Sequence, residues 1–280
     1  MQLPFSKMHG LGNDFIVIDG IHHPVKLNPD VIRRWANRHT GIGFDQLLLI
    51  ESSFEPDCDF QYRIFNADGA EVGQCGNGAR CFAAYVYAKN LTTSKMIRVQ
   101  TRDRKLTLHI KDHDLVEVNM GKAKLLPEEI PFAPSSPPPA KNGLYSICIN
   151  QLFFEVAVAN LGNPHAIVLV KDVDQTPVTK WGALIEGASS YFPQRTNVGF
   201  MQILDRTHIR LRVFERGVGE TLACGSGACA AVVVGHKLGL LAEKVWVALP
   251  GGDLFVHIMP SEEILLTGPA NFVFEGSITL

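Results

Sequence analysis

Cys75 and Cys224 stand 149 residues apart in nearly the same glycine-rich frame. Residues 65–81 read FNADGAEVGQCGNGARC, and residues 214–230 read FERGVGETLACGSGACA. Gly76-Asn77-Gly78-Ala79 follows one cysteine and Gly225-Ser226-Gly227-Ala228 the other. A helix starting just after each cysteine would aim unpaired backbone N–H groups and a partial positive charge at the sulfur, lowering the thiol pKa toward neutrality. The glycines let those N–H groups close on an anion, so Gly76, Asn77, Gly225 and Ser226 are candidate contacts for a substrate carboxylate. Two such thiols, one per repeated half, suit inversion of a stereocentre beside a carboxylate. One sulfur, as thiolate, removes the α-proton, and the other, as thiol, returns a proton on the opposite face. Backbone N–H groups would hold the charge that develops on the carboxylate.

The repeat extends beyond the thiols. Leu11-Gly12-Asn13-Asp14-Phe15 is echoed by Leu161-Gly162-Asn163-Pro164-His165. Asn13 and Asn163 offer neutral donors and acceptors to a substrate, or simply form turns. Asn66 and Glu215 each lie nine residues before a framed cysteine. Arg216 offers a planar fork for a carboxylate and Glu215 an anion for an ammonium; the alternative is a solvated pair at a strand end. His165 is either a satisfied histidine at a strand start or an assistant to catalysis. Cys58, Cys81, Cys148 and Cys229 lack such frames and are read as small buried packing residues. The C-x5-C and C-x4-C spacings are not those of zinc knuckles, so no metal site is expected.

The elements needed to position these groups are mostly strands. Alternation and β-branched content predict strands at 15–19, 47–50, 61–65, 106–110 and 116–120 in the first half. In the second half they predict strands at 153–159, 166–170, 200–204, 208–214 and 245–249. Residues 30–39 read as a helix capped by Asn28 or Asp30 near Pro29. Residues 78–89 and 227–238 read as helices with little polar surface, as expected of helices packed inside a sheet. Lys111-Asp112-His113-Asp114 reads as a hairpin turn. Residues 127–139, with six prolines, should break any regular element near a domain junction.

At 280 residues the chain can hold two domains. Its 26 Lys and Arg against 28 Asp and Glu leave no field to recruit nucleic acid or an anionic membrane. No apolar run approaches the length of a membrane span, and MQLPFSKMHG lacks the layout of a signal peptide. A cytoplasmic protein with reduced cysteines is expected.

KMHGLGNDF at 7–15, NADGAEVGQCGNGARC, LGNPHA at 161–166 and ERGVGETLACGSGACA together resemble the diaminopimelate epimerases, which work without pyridoxal phosphate. The resemblance runs over nearly the whole chain. It implies an α/β (α+β) fold of two duplicated, pseudo-symmetric domains, each a curved mixed sheet around a central helix, with substrate between them. The domains would be 1–121, joined by a returning strand at 266–280, and 122–265. It further implies Cys75 and Cys224 as the catalytic pair, with His165 and Glu215 assisting. Asn13, Gln46, Asn66, Asn163, Asn197, Glu215 and Arg216 would contact substrate. The reaction would interconvert LL- and meso-2,6-diaminopimelate without a cofactor, for lysine and peptidoglycan precursors, in a homodimer. The competing expectation is another cofactor-independent racemase, of the proline or hydroxyproline type, whose substrate has no charged distal end. A cysteine hydrolase using His165 as base, or a non-enzymatic anion binder, would leave the second thiol unexplained.

Overall fold

A computed structural model of the chain describes residues 2–73, 75–112, 115–134 and 143–280. The chain forms two compact units, residues 1–119 with 267–280, and residues 120–266. The first contains β1 (Gln2–Gly10), β2 (Asn13–Asp19), α1 (Pro29–Ala36), β3 (Gln46–Ser52), β4 (Phe60–Asn66) and β5 (Glu71–Val72). It continues through α2 (Gly76–Ala88), β6 (Met96–Gln100) and β7 (Lys105–Ile110) into β8 (Leu115–Lys122). The second holds β9 (Tyr145–Ile149), β10 (Leu152–Asn160), β11 (Pro164–Leu169), α3 (Val178–Glu186), β12 (Asn197–Asp205) and β13 (His208–Glu215). Then come β14 (Gly219–Thr221), α4 (Gly225–Lys237), β15 (Lys244–Leu249), β16 (Gly252–Ile258) and β17 (Glu263–Pro269), and β18 (Asn271–Thr279) returns to the first unit.

The strand pairings repeat. In the first unit β18, β1 and β2 are antiparallel neighbours, β3 lies parallel to β2, β4 antiparallel to β3, β6 parallel to β4 and β7 antiparallel to β6. In the second, β9, β10 and β11 are antiparallel neighbours, β12 lies parallel to β11, β13 antiparallel to β12, β15 parallel to β13 and β16 antiparallel to β15. The fold is therefore α+β and duplicated, each half a mixed sheet around one central helix. Helix α2 packs on β1, β2, β3 and β7; α4 packs on β10, β11, β12, β13 and β16.

Residues 15–18 of β2 are buried without a break, as are 47–50 of β3. Such runs arise where helices cover both faces of a sheet. Ile16, Ile18, Leu47 and Leu49 pack with Ile32 and Trp35 of α1, while Leu48 approaches Gly78 of α2. Helix α1 is capped by Asn28, whose side chain accepts from Val31 N, and it ends at Ala36, three residues before the expected end. Both central helices begin two residues earlier than their apolar pattern suggests, which makes each framed cysteine the N-cap.

Several elements escape the sequence patterns. Helix α3 carries Gly182, a poor helix residue. A Cβ there would lie 2.5 Å from Phe214, so the glycine lets the helix reach β13. The expected strand at 266–280 is two strands, β17 and β18, meeting at Ala270. The proline-rich segment is not wholly irregular: Pro127–Glu129 form a 3-10 turn, with the proline at a position that needs no N–H. Residues 135–139 of that segment, and 113 and 114 of the expected turn, lie outside the described residues. No described helix is long and apolar enough to cross a membrane.

Candidate active site

In the first unit Cys75 caps α2 with extended backbone angles (φ −153°, ψ 111°), and its sulfur accepts the Gly78 N–H at 3.3 Å. The residue is half-buried. Asn13 opens β2 directly after the two-residue Leu11-Gly12 turn, in which Leu11 adopts a left-handed conformation (φ 57°). Such a turn favours glycine or asparagine, and a buried leucine there is held by its packing. The Asn13 Oδ1 lies 3.8 Å from the Cys75 sulfur and 3.3 Å from Asn77 Nδ2. Gln46 and Asn66 face each other across β3 and β4, and Gln46 Nε2 donates to Asn66 Oδ1 at 2.8 Å. Gln46 Oε1 is buried with no hydrogen-bond partner among the described residues. Gly76 is the first helical residue, half-buried beside the cysteine.

Sequence reasoning missed what stands behind these groups. Asn13 Nδ2 donates to Asp45 at 2.9 Å, and Arg38 bridges Asp45 (2.8 Å) and Asp14 (2.7 Å). Lys7, buried, pairs with Asp14 at 2.6 Å. Burial pushes the Asp14 carboxyl up, but hydrogen bonds and charge from Arg38 and Lys7 overcome this and hold it well below the carboxylate range. On the helix side, fully buried Arg80 donates to Asn77 Oδ1 at 2.9 Å and to Pro269 O at 3.1 Å. The signal was present as charged residues directly beside chosen ones: Asp14 follows Asn13, and Asp45 precedes Gln46.

In the second unit Cys224 occupies the same N-cap position of α4 (φ −127°, ψ 109°) and is buried, 4% exposed. Its sulfur makes no cap bond of good geometry; Ser226 Oγ lies 3.6 Å away. Ser226 Oγ also receives Asn163 Nδ2 at 3.3 Å and lies 3.0 Å from His165 Nε2. His165 Nε2 is 3.1 Å from Asn163 Oδ1, an acceptor, which assigns the ring proton to Nε2. Nδ1 is then a bare lone pair, buried without a partner among the described residues. Complete burial, with the Arg216 charge adding to it, lowers the His165 pKa to about 3, so the ring is neutral.

The Cys224 thiol departs from the sequence expectation. Burial first, and then the nearby Glu215 carboxylate, push its pKa well above the ordinary thiol value, while Ser226 and the Gly227 N–H pull it down less. Glu215 also accepts from the Thr221 hydroxyl. Arg216 is exposed, and its Nη1 donates to Gln194 O at 3.1 Å. Asn197 is buried with both amide ends turned to the scaffold: Nδ2 donates to Pro164 O (3.0 Å), and Oδ1 accepts Arg216 N (2.9 Å). Gly225 begins α4, buried.

Of the remaining cysteines, Cys81 and Cys229 are buried in the central helices and Cys58 is half-buried. Cys148 is exposed, because it lies on the outward face of β9, so the buried-packing expectation fails there. No cluster of three or more potential metal ligands occurs among the described residues.

Each unit thus offers a helix N-terminus with a thiol, backbone N–H groups and a ring of amides, which can bind a carboxylate and exchange a proton at the carbon next to it. A duplicated fold with one such constellation per half defines the epimerase-like isomerases. The chain belongs to the diaminopimelate epimerase family, which it matches over residues 5–126 and 157–273. Solved structures share the fold. A PhzF-family phenazine biosynthesis protein from Bacillus anthracis is 17% identical, with a TM-score of 0.72 over 100% of both chains. A hydroxyproline epimerase from Agrobacterium vitis, solved with bound trans-4-hydroxy-L-proline, is 14% identical, with a TM-score of 0.74 over 100% of this chain and 93% of that one. A methylitaconate-delta-isomerase is 17% identical, with a TM-score of 0.65 over 99% and 95%.

Proposed function

We propose that the chain is a diaminopimelate epimerase, interconverting LL- and meso-2,6-diaminopimelate by proton transfer at one α-carbon. The observation that carries this reading is the duplicated cysteine N-cap, Cys75 on α2 and Cys224 on α4, within a family match that covers both halves. One thiolate removes the α-proton, the other thiol supplies its replacement, and the roles exchange in reverse. The N–H groups of Gly76, Asn77, Gly225 and Ser226 hold the reacting carboxylate. Glu215, beside Cys224, is placed to take the thiol proton and prepare a thiolate. Neutral His165 orients Asn163 and Ser226 rather than acting as a charged acid. Arg216 suits the distal carboxylate as a partly anchored fork with exposed N–H groups. Asn13, Asn66, Asn163 and Gln46 supply the neutral contacts, and Asn197 holds the Arg216 backbone. The reaction would supply lysine or peptidoglycan precursors in the cytoplasm, with the enzyme working as a homodimer.

The test is turnover of LL-diaminopimelate in deuterated water. One deuterium should enter one α-carbon of the meso product, and Cys75→Ala and Cys224→Ala should each lower the rate by about 10³-fold or more. Turnover of L-proline or hydroxyproline without turnover of diaminopimelate would replace the reading with a racemase for single-ended substrates.

A further inference from the structure

The amide of Asn13 could present either its oxygen or its NH2 to the Cys75 sulfur, and the two choices have opposite consequences. An oxygen accepts from the protonated thiol; an NH2 would donate to the thiolate and stabilise it. What stands at the two ends of the hydrogen-bond chain fixes the choice. At one end is Arg80, a guanidinium that can only donate, and it gives a hydrogen to Asn77 Oδ1 at 2.9 Å. That leaves the Asn77 NH2 to face Asn13, donating to Oδ1 at 3.3 Å. At the other end is Asp45, a carboxylate that can only accept, and it receives Asn13 Nδ2 at 2.9 Å. A donor-only terminus and an acceptor-only terminus allow both intervening amides one orientation. Reversing either would set NH2 against guanidinium or oxygen against carboxylate.

Asp45 is itself held. It accepts Asp14 N at 3.1 Å and Arg38 Nη2 at 2.8 Å, and its own N–H donates to Asp14 Oδ1 at 3.0 Å. Lys7 closes the group through Asp14, so two acids and two bases balance. Their charges anchor the far end of the chain behind Asn13.

We infer that Asp45 and Arg80 are positioning residues that lock the Asn13 oxygen toward Cys75, so that Asn13 Oδ1 accepts from the thiol while the Gly78 N–H donates to the thiolate. A sulfur that must both take and give a proton works best when neither form is overstabilised. With Asn13 reversed, two donors would meet the thiolate and weaken it as a base. The inference rests on Cys75 acting as an acid/base group, but its test reads the titration of that thiol and not turnover.

Among the described residues, Tyr62 and Cys81 near the sulfur keep their charge state over the accessible range. Tyr62 on β4 is fully buried with its hydroxyl pKa pushed up, and burial pushes the Cys81 thiol on α2 up to about 12. The experiment is the pH dependence of iodoacetamide alkylation at Cys75, followed by peptide mass mapping. Asp45→Asn is compared with the parent, with and without Asn13→Ala. The Asp45 contact, short at 2.9 Å and charged, is the stronger hold on Asn13, and the Asn77 contact, at 3.3 Å, the weaker. Asp45→Asn therefore lets Asn13 turn its NH2 to the sulfur, and the Cys75 titration should move down by about one pH unit, a roughly tenfold gain in thiolate at pH 7. In the Asn13→Ala background the same substitution should move it by less than about a third as much, since only the distant charge is lost. An equal shift in both backgrounds, no shift, or an upward shift would overturn the inference. Asp45→Ala in the same two backgrounds gives the same comparison if Asp45→Asn does not fold. Failure of the diaminopimelate reading would leave these titrations unchanged.

Discussion

Cys75 and Cys224 occupy the same backbone position, the N-cap of a buried central helix, in two halves with the same strand pairings. Their surroundings differ in burial, capping and neighbouring groups. Cys75 is half-buried, accepts a cap bond from Gly78 and faces a carbonyl oxygen on Asn13. Cys224 is almost fully buried, faces the hydroxyl of Ser226 and has a carboxylate, Glu215, beside it. Asn66, the residue matching Glu215, is neutral and is tied to Gln46. Duplication thus copied the backbone that aims each sulfur, while side-chain divergence separated the two thiols chemically. A helix terminus alone does not set a thiol pKa; at Cys224 the burial outweighs it.

The largest consequence is in reactivity. Without substrate at pH 7.5, iodoacetamide should label Cys75 about 100-fold faster than Cys224, since the latter combines burial with a raised pKa. Peptide mass mapping over time reads the ratio, and equal labelling would erase the contrast between the halves. The next consequence belongs to the second half alone. His165, held neutral with a pKa of about 3 against 6.5 when unfolded, binds fewer protons in the folded state. Stability should therefore fall as the pH drops from 6.5 toward 3, with a limiting contribution of about 1.4 kcal/mol per pH unit. Urea melts of the parent and of His165→Gln over that range should show a shallower decline in the variant. Parallel declines would mean that this ring does not govern the acid limb.

The smallest effect belongs to the first half. The Tyr62 hydroxyl is buried with no hydrogen-bond partner among the described residues, directly beneath Gly78, where a Cβ would lie 2.4 Å from it. Beneath Gly227, the matching glycine, lies the apolar Val213. Tyr62→Phe should make the first half resemble the second and raise stability by about 1 kcal/mol, the cost of an unpaired buried hydroxyl. A destabilised variant would reveal that the hydroxyl has a partner.

The framed cysteines, the paired Leu-Gly-Asn turns and the two buried helices were legible because each repeats, and a repeated pattern outweighs weak local propensity. The valine run of α4 is a poor helix former, yet its start could be placed to within two residues. Helix α3 was not legible, since nine residues with a central glycine carry little periodicity and its reason lies across the sheet at Phe214. The amides were found by their frames. The charged group of Lys7, Asp14, Arg38 and Asp45 was not, because its members come from β1, β2 and the connection between α1 and β3 and meet only once β2 lies parallel to β3. The raised pKa of Cys224 was hidden for a similar reason: depth of burial is a property of the assembled half.

Strand β1 is held on one side by β2 and on the other by β18, the last strand of the chain. Its pairing with β18 runs from Gln2 opposite Thr279 to His9 opposite Asn271, so β1, which precedes the second unit in the chain, waits for a strand that follows it. The intervening second unit, residues 120–266, can assemble as it is made, whereas the half that carries Cys75 is completed only once β18 has followed it. Truncation before β18 would leave β1 with an open edge, exposed to pairing with other chains.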